Sequence, residues 1–330
     1  MPQLNNISPF AACTALFPNE DAVDTLYVIV KATFNIGKAF TLADEQIKPL
    51  VTDMYWTEPG KSSVKYGTDT HIGKPATDIV MLGHACTPGQ KEVHQLDVTL
   101  SVGKVSKTVR VWGDRQWKEG SITAPTVFKT MAMVYEKAYG GIHVVNGQIG
   151  SAEMRNPVGR GFAGTRKLEE MNGVPLPNLE DPAHLIRAHT DSPYPACFGF
   201  CAPNWQPRAQ WAGTYDEEWK RMRAPFLPKD FDKRFFNMAH ADLVYPGFLQ
   251  GGEPVQITNM HPGGTIQFDV PQVKLVTRIA LTNKEEQPPF NLETVILEPN
   301  PMTVSMVWRA ALPCDKKALK IGDVKVALSR

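Results

Sequence analysis

The sequence has no excess of one charge, no regular cysteine pattern, no long apolar run and no catalytic signature, and each shortage removes a class of function. Lys+Arg (35) nearly cancels Asp+Glu (34), for a formal net charge of +1. Nucleic-acid binders draw much of their affinity from neutralised phosphates, so the bulk charge lends no support to that class. The five cysteines, Cys13, Cys86, Cys197, Cys201 and Cys314, are odd in number and mostly far apart. That fits reduced thiols in a cytoplasm and not a disulfide framework. No stretch approaches the ~18 apolar residues that a membrane-crossing helix needs. Residues 1–10 (MPQLNNISPF) have no basic start, apolar run or small-residue cleavage site, so no secretory signal is expected. The expectation is a soluble cytoplasmic protein with no membrane and no nucleic-acid partner.

What the sequence does have is turn chemistry and alternation. Proline (27) and glycine (25) exceed the ordinary share, which favours turns and short strands over long helices. In residues 25–36, Leu26, Val28, Val30, Ala32, Phe34 and Ile36 share one phase and Tyr27, Ile29, Lys31, Thr33 and Asn35 the other, the pattern of a half-buried strand. Leu96, Val98, Leu100 and Val102 alternate, Gly103-Lys104 suits a hairpin turn, and Val105, Val109 and Val111 resume the pattern. Residues 79–85 form a shorter apolar run. Towards the C-terminus the same grammar returns in Ile266, Phe268 and Val270, in Val273, Leu275, Ile279 and Leu281, in Met302, Val304, Met306 and Trp308, and in Val324, Val326 and Leu328. The predicted fold is mainly β, with antiparallel, sandwich-like sheets from the two outer thirds.

Between them, residues 128–252 read as an irregular, proline- and aromatic-rich middle. Helical segments are predicted at 165–171, 181–189 and 216–223, and at 128–139 a helix or a strand. Asp216 followed by Glu217 and Glu218 marks the start of one of them, since early acidic residues complement the helix dipole. With no Ser/Gly-rich linker and no fixed-length repeat, the chain reads as one domain, 1–330, with a β region at 1–127, the irregular middle, and a second β region at 253–330.

Searches for reactive constellations yield little. There is no Gly-x-Ser-x-Gly elbow. Cys86 follows Gly83-His84, but adjacent strand residues point to opposite faces. Asp230 and Asp232 lie among Lys229, Lys233 and Arg234, where local charge pairing is the ordinary explanation. Asn156-Pro157-Val158-Gly159-Arg160-Gly161 lacks the lysine-Ser/Thr ending of a phosphate cradle, so tight turns are expected there. His184, His189, Cys197 and Cys201 have admissible ligand types for structural zinc, although the order of the pairs is unusual and the cysteines have the look of buried core thiols. No cofactor is expected, and the chain is not read as an enzyme.

The informative feature is a concentration of aromatics. Of the 30 aromatic residues, 13 lie between Tyr194 and Phe248, interleaved with Arg208, Arg221, Arg223 and Arg234. Guanidinium groups stack on rings, and Trp, Tyr and Arg dominate interface hot spots. Two roles stay open for each residue: bracing a segment that lacks regular structure, or binding a partner.

An ordered series of motifs resembles the domain-of-unknown-function family 2169. It runs through Lys31-Ala32-Thr33-Phe34, Lys74-Pro75-x-Thr77-Asp78, Gly113-Asp114-Arg115-x-Trp117, Tyr135-Glu136-Lys137-Ala138-Tyr139-Gly140-Gly141 and the Asn156 motif above. It continues in Leu176-Pro177-Asn178-Leu179-Glu180, Trp205-x-x-Arg208, Gly213-Thr214-Tyr215-Asp216-x-x-Trp219 and Arg223-x-Pro225-x-x-Pro228-x-Asp230-Phe231-Asp232-x-Arg234-Phe235-x-Asn237. Lys137 and Tyr139 stand where the pattern has arginine and phenylalanine, and Cys197 and Cys201 are not part of it. The resemblance implies a cytoplasmic adaptor or chaperone that binds a type VI secretion effector toxin and helps load it onto the VgrG spike with its PAAR tip. The candidate protein-binding or structural residues are therefore Arg115, Trp117, Glu136, Asn156, Trp205, Arg208, Tyr215, Trp219, Arg223, Asp230, Asp232, Arg234, Phe235 and Asn237. The competing readings are a structural spike or baseplate component, which secretion of the chain would favour, and a hydrolase or metal-dependent enzyme, which a deep polar pocket with converging acid/base groups would favour.

Overall fold

A computed structural model of the chain describes residues 2–282 and 284–329. Its centre is the alternating strand of the first third, Asp24–Asn35, hydrogen-bonded on one side to Ala11–Pro18 and on the other to Thr303–Pro313. Asn291–Glu298 and then Asp78–Met81, parallel to it, extend this sheet, and Thr41–Leu42 pairs with the far end of the central strand. A second sheet runs in the order Leu179–Glu180, Val105–Trp112, Gln95–Val102, Pro254–Thr258 and Ile266–Asp269. Its hairpin turns at Gly103-Lys104 with Gly103 at φ +54°, the left-handed region that glycine enters without steric cost. A third sheet joins Gln3–Asn6 parallel to Ile321–Leu328, which pairs with Leu275–Leu281. One contiguous apolar core draws side chains from all three sheets. The protein is mainly β, as its alternation predicts. Among the described residues no helix is long and apolar enough to cross a membrane.

Three expectations change. The central strand is not half-buried: both phases are covered, and Lys31 is 1% exposed. The reason is the segment after Leu42, which wraps the second face and places Asp69 2.9 Å from the Lys31 ammonium. Residues 181–189 form turns and no helix, with Asp181 and Asp191 accepting local backbone N–H groups in place of helical carbonyls. Residues 128–139 divide into a strand, Thr130–Ala132, and a 3-10 turn, Tyr135–Lys137. The helix expected at 216–223 forms as Glu217–Met222, capped by Asp216, whose carboxylate accepts the Trp219 N–H at 2.8 Å.

The wrapped face holds a buried ionic layer. Lys74 pairs with Asp78 at 2.6 Å, Arg309 with Glu293 at 2.7 Å and Lys31 with Asp69 at 2.9 Å. Lys74 also donates to Thr294 Oγ1, and the Glu293 carboxylate accepts the Lys74 N–H. His71 lies among them, stacked on Phe236 with ring centroids 4.9 Å apart. Its Nδ1 accepts the Gly73 N–H. Burial, then the charges of Arg309 and Lys74, push its pKa well below the ordinary 6.5, so it stays neutral.

Two outcomes follow. Breaking a buried pair on one side strands a charge, so Asp78→Asn should lower unfolding free energy by ~3–5 kcal/mol in urea titrations; a loss below ~1 kcal/mol would contradict the buried pairing. The second concerns pH. Burial and the nearby Lys107 also lower His240, to about 4. Once the pH drops below the ordinary histidine value, the unfolded chain protonates both imidazoles while the folded chain resists. Stability is then flat above about pH 6.5 and falls below it, by at most ~1.4 kcal/mol per pH unit for each ring. Urea midpoints at about pH 7.5 and about pH 5.5 should differ accordingly, with the slope roughly halved in His71→Gln.

Candidate functional site

The aromatic segment enters the protein through its small and apolar residues. Cys197, Phe198 and Phe200 are essentially inaccessible. The Met81 N–H donates to the Phe198 carbonyl, so this run closes the edge beside strand Asp78–Met81. Trp205 meets Tyr135 edge-on at 5.2 Å, and Tyr135 Oη lies 3.1 Å from Cys201 Sγ. Beyond this plug, two 3-10 turns, Arg208–Trp211 and Lys233–Phe236, pack together. Arg208 ties them, donating from Nε to the Phe235 carbonyl at 2.9 Å and from Nη1 to the Cys201 carbonyl at 2.5 Å. Its guanidinium lies 5.2 Å from the Phe235 ring centroid.

Arg208 is 5% exposed, and among the described residues no carboxylate forms an ion pair with it. Burial lowers its pKa, against the pull of Cys201 and the more distant Asp53 and Asp78. It sits in the wall of a pocket of about 240 Å³, lined also by Tyr194, Pro207, Trp211, Ala241 and Val244. Arg234 lies over the Trp211 ring at 3.6 Å and is held there by two hydrogen bonds to Asp232. Asn237, also in the lining, donates to the Ala76 carbonyl and to Asp78 Oδ1 at 2.9 Å. Tyr194 stands edge-on to the neutral His240 at 5.1 Å.

The pocket does not assemble acid/base chemistry. Burial raises the Cys197 thiol to about 12 and raises Cys201, which keeps both protonated and unreactive. The four zinc candidates lie in different settings. Cys197 and Cys201 are interior, whereas His184 is exposed and bonded to Asp181 at 3.1 Å. Among the described residues, no three His, Cys, Asp or Glu side chains are gathered to hold a metal ion. The Cys86 thiol donates to the backbone carbonyl of His84, not to its ring.

The remaining candidates fall into two other places. Arg115 pairs with the buried Glu180 at 3.0 Å and stacks on Trp112. Trp117 anchors a second small core with Tyr139, Met171 and Leu176. Glu136 accepts from the Ser63 backbone and hydroxyl. Asn156, fully buried, donates to the Tyr135 and Tyr139 carbonyls. The glycine string serves close packing: a Cβ at Gly140 would lie 2.1 Å from the Asn156 carbonyl oxygen. These four residues brace the fold. The other group, Tyr215, Trp219, Arg223 and Asp230, belongs to a projecting segment, residues 212–231. Its ends meet where the Asp232 N–H donates to the Trp211 carbonyl, at the pocket rim. Asp230 accepts from Thr214 N and Oγ1, Trp219 Nε1 donates to the Phe226 carbonyl, and Arg223 donates to the Leu227 and Glu20 carbonyls.

Sequence reading missed Lys107, 6% exposed and paired with Asp242 beside His240. The signal was present: Lys107 occupies the apolar phase of strand Val105–Trp112 between Val105 and Val109. It also missed Tyr194, Ala241 and Val244 as pocket walls, for which no local pattern exists.

Residues 21–309 match the family described as an uncharacterized protein conserved in bacteria, DUF2169. No curated protein and no solved structure matches the chain.

The geometry separates bracing from available residues in a measurable way. Asn237→Ala leaves a buried Asp78 oxygen short of a donor and should cost ~2–3 kcal/mol in urea unfolding. Arg234→Ala removes only a solvent-facing pair and stack and should leave the midpoint within experimental error. The reverse order would assign the bracing to Arg234.

Proposed function

From the premise that the chain belongs to the bacterial family DUF2169, matched over residues 21–309, we propose that it works by gripping another protein. The observation that carries this reading is the projecting segment. Tyr215, Met222 and Phe226 are 52%, 63% and 37% exposed on it. They do not dangle: the Asp216 cap, the Asp230–Thr214 clasp, the Trp219–Phe226 bond and the Arg223 tether hold the backbone beneath them. Tyr215 and Trp219 meet edge-on at 4.7 Å. Large apolar groups fixed in solvent cost little further ordering when a partner covers them, which is how preorganised hot spots gain affinity. Large apolar groups gathered on one exposed segment are the kind of surface that marks interaction sites.

The motif resemblance supplies the identity of the partner. In this reading the chain is a cytoplasmic adaptor that holds a type VI secretion effector and passes it to the VgrG spike and PAAR tip. Handover favours a moderate interface over an obligate, core-like one.

The test is copurification of the tagged chain with the products of its neighbouring genes. An effector or spike component should be retained. A variant carrying Tyr215→Ser, Met222→Ser and Phe226→Ser should keep its Tm within ~4 °C while retaining at least about tenfold less partner. Undiminished retention by a folded triple variant would remove the projection from the interface, and no retention by the wild type would end the adaptor reading.

A further inference from the structure

The Arg208 pocket is unlike the other buried charged places in this protein. Lys31, Lys74, Lys107, Arg115 and Arg309 each meet a carboxylate. Arg208, as deeply buried, meets only two carbonyl oxygens. Asp78 is already engaged by Lys74, Asn237 and the Met238 N–H, and Asp53 accepts from Thr68. A buried cation with dipoles but no counter-charge is costly. Its Nη2 has no acceptor among the described residues, and neither have Trp211 Nε1 and Tyr194 Oη, which belong to residues lining the same pocket. Three unspent donors, one of them cationic, share a cavity walled on its apolar side by Pro207, Ala241 and Val244, with the Asp232-paired Arg234 and the Asp78-bound Asn237 also in its lining.

We propose that this pocket receives the carboxyl-terminal residue of a partner polypeptide, its carboxylate on Arg208 and an apolar side chain against Pro207, Ala241 and Val244. A carboxylate supplies the missing counter-charge. One guanidinium without a counter-ion matches the single charge of a carboxylate, whereas a phosphate would bring up to two charges against it. The volume of about 240 Å³ is below the ~300–1,000 Å³ of sites for drug-sized ligands and fits one side chain with its terminus. Capture of a terminal carboxylate is an established mode of peptide recognition. The polypeptide source rests on the protein-gripping reading above. It is supported by continuity, because the projecting segment leaves and rejoins the fold at Trp211 and Asp232, so a chain lying along it reaches the pocket at its rim.

The experiment titrates the full-length protein calorimetrically with acetyl-Ala-Ala-Leu as free acid, with the same peptide as its amide, and with 4-methylpentanoate. The free acid should bind about tenfold or more tightly than the amide and more tightly than 4-methylpentanoate. Ala241→Trp, at an exposed rim position, should abolish binding with an unchanged Tm. Arg208→Lys, which keeps the charge but loses the fork, should weaken the free acid selectively. Equal affinity for acid and amide, binding that survives in Ala241→Trp, or 4-methylpentanoate binding as tightly as the peptide acid would each overturn the proposal. These titrations use no effector, so their failure is distinct from a failure of copurification. Conversely, an effector retained equally by wild type and Ala241→Trp, with its Tm unchanged, would overturn the pocket's role and leave the adaptor reading standing.

Discussion

The buried carboxylate of Asp78 ties the irregular middle to the outer thirds of the chain. One oxygen takes the Lys74 ammonium and the Met238 N–H, and the other takes the Asn237 amide. Lys74 in turn reaches Thr294 on a strand more than two hundred residues away. A single side chain therefore joins the first third, the middle and the last third. The middle has few ladders to satisfy its backbone, and buried N–H and C=O groups need partners whatever the secondary structure. Charged groups at fixed points provide them. Replacing such a cluster by apolar residues can leave stability unchanged or raise it; what it supplies here is register, since only one placement of residues 237 and 238 meets all three bonds.

The same accounting explains why Arg208 stands apart. In the layer over the central sheet, three cations meet three carboxylates, and His71 is kept neutral among them. In that layer each cation has its carboxylate. Arg208 belongs to the same interior but faces a cavity, and its carbonyl partners stabilise its position without cancelling its charge. A structural arginine would be expected to have acquired a carboxylate, as Arg115 has in Glu180. On the proposed reading a ligand supplies the counter-ion that the fold lacks at Arg208.

The strands were legible because alternation is local and each one obeys it. Their partners were not. Strand Asp24–Asn35 joins Thr303–Pro313 from the opposite end of the chain, and long-range register leaves no mark in either segment alone. Lys107 was the readable exception, lying in the apolar phase of its strand and paired with Asp242. Lys31 lies in the phase expected to face solvent and is buried only because the segment carrying Asp69 folds over it. The helix at Glu217–Met222 was legible from its acidic start, whereas 181–189 offered a helical spacing that Asp181 and Asp191 diverted into turns. For the site, the motif residues Arg208, Arg234 and Asn237 do converge, but Tyr194, Ala241 and Val244 complete the pocket through tertiary packing alone.

The arrangement of the segment from Tyr194 to Val244 then has a physical logic. On the proposed reading the exposed apolar side chains of the segment would give affinity but little discrimination, because most partners can supply a hydrophobic face. The pocket, with its one cation lacking a counter-ion, would on the same reading discriminate: a ligand without a carboxylate would leave Arg208 uncompensated, and the cost would fall on the wrong partner. Because residues 211 and 232 join the two through one backbone hydrogen bond, a partner bound as proposed along the segment would hold its end close to the pocket, at a reduced closure cost. On that reading adhesion and selection would be separated along one stretch of chain, with the backbone hydrogen bond between residues 211 and 232 marking where the two meet.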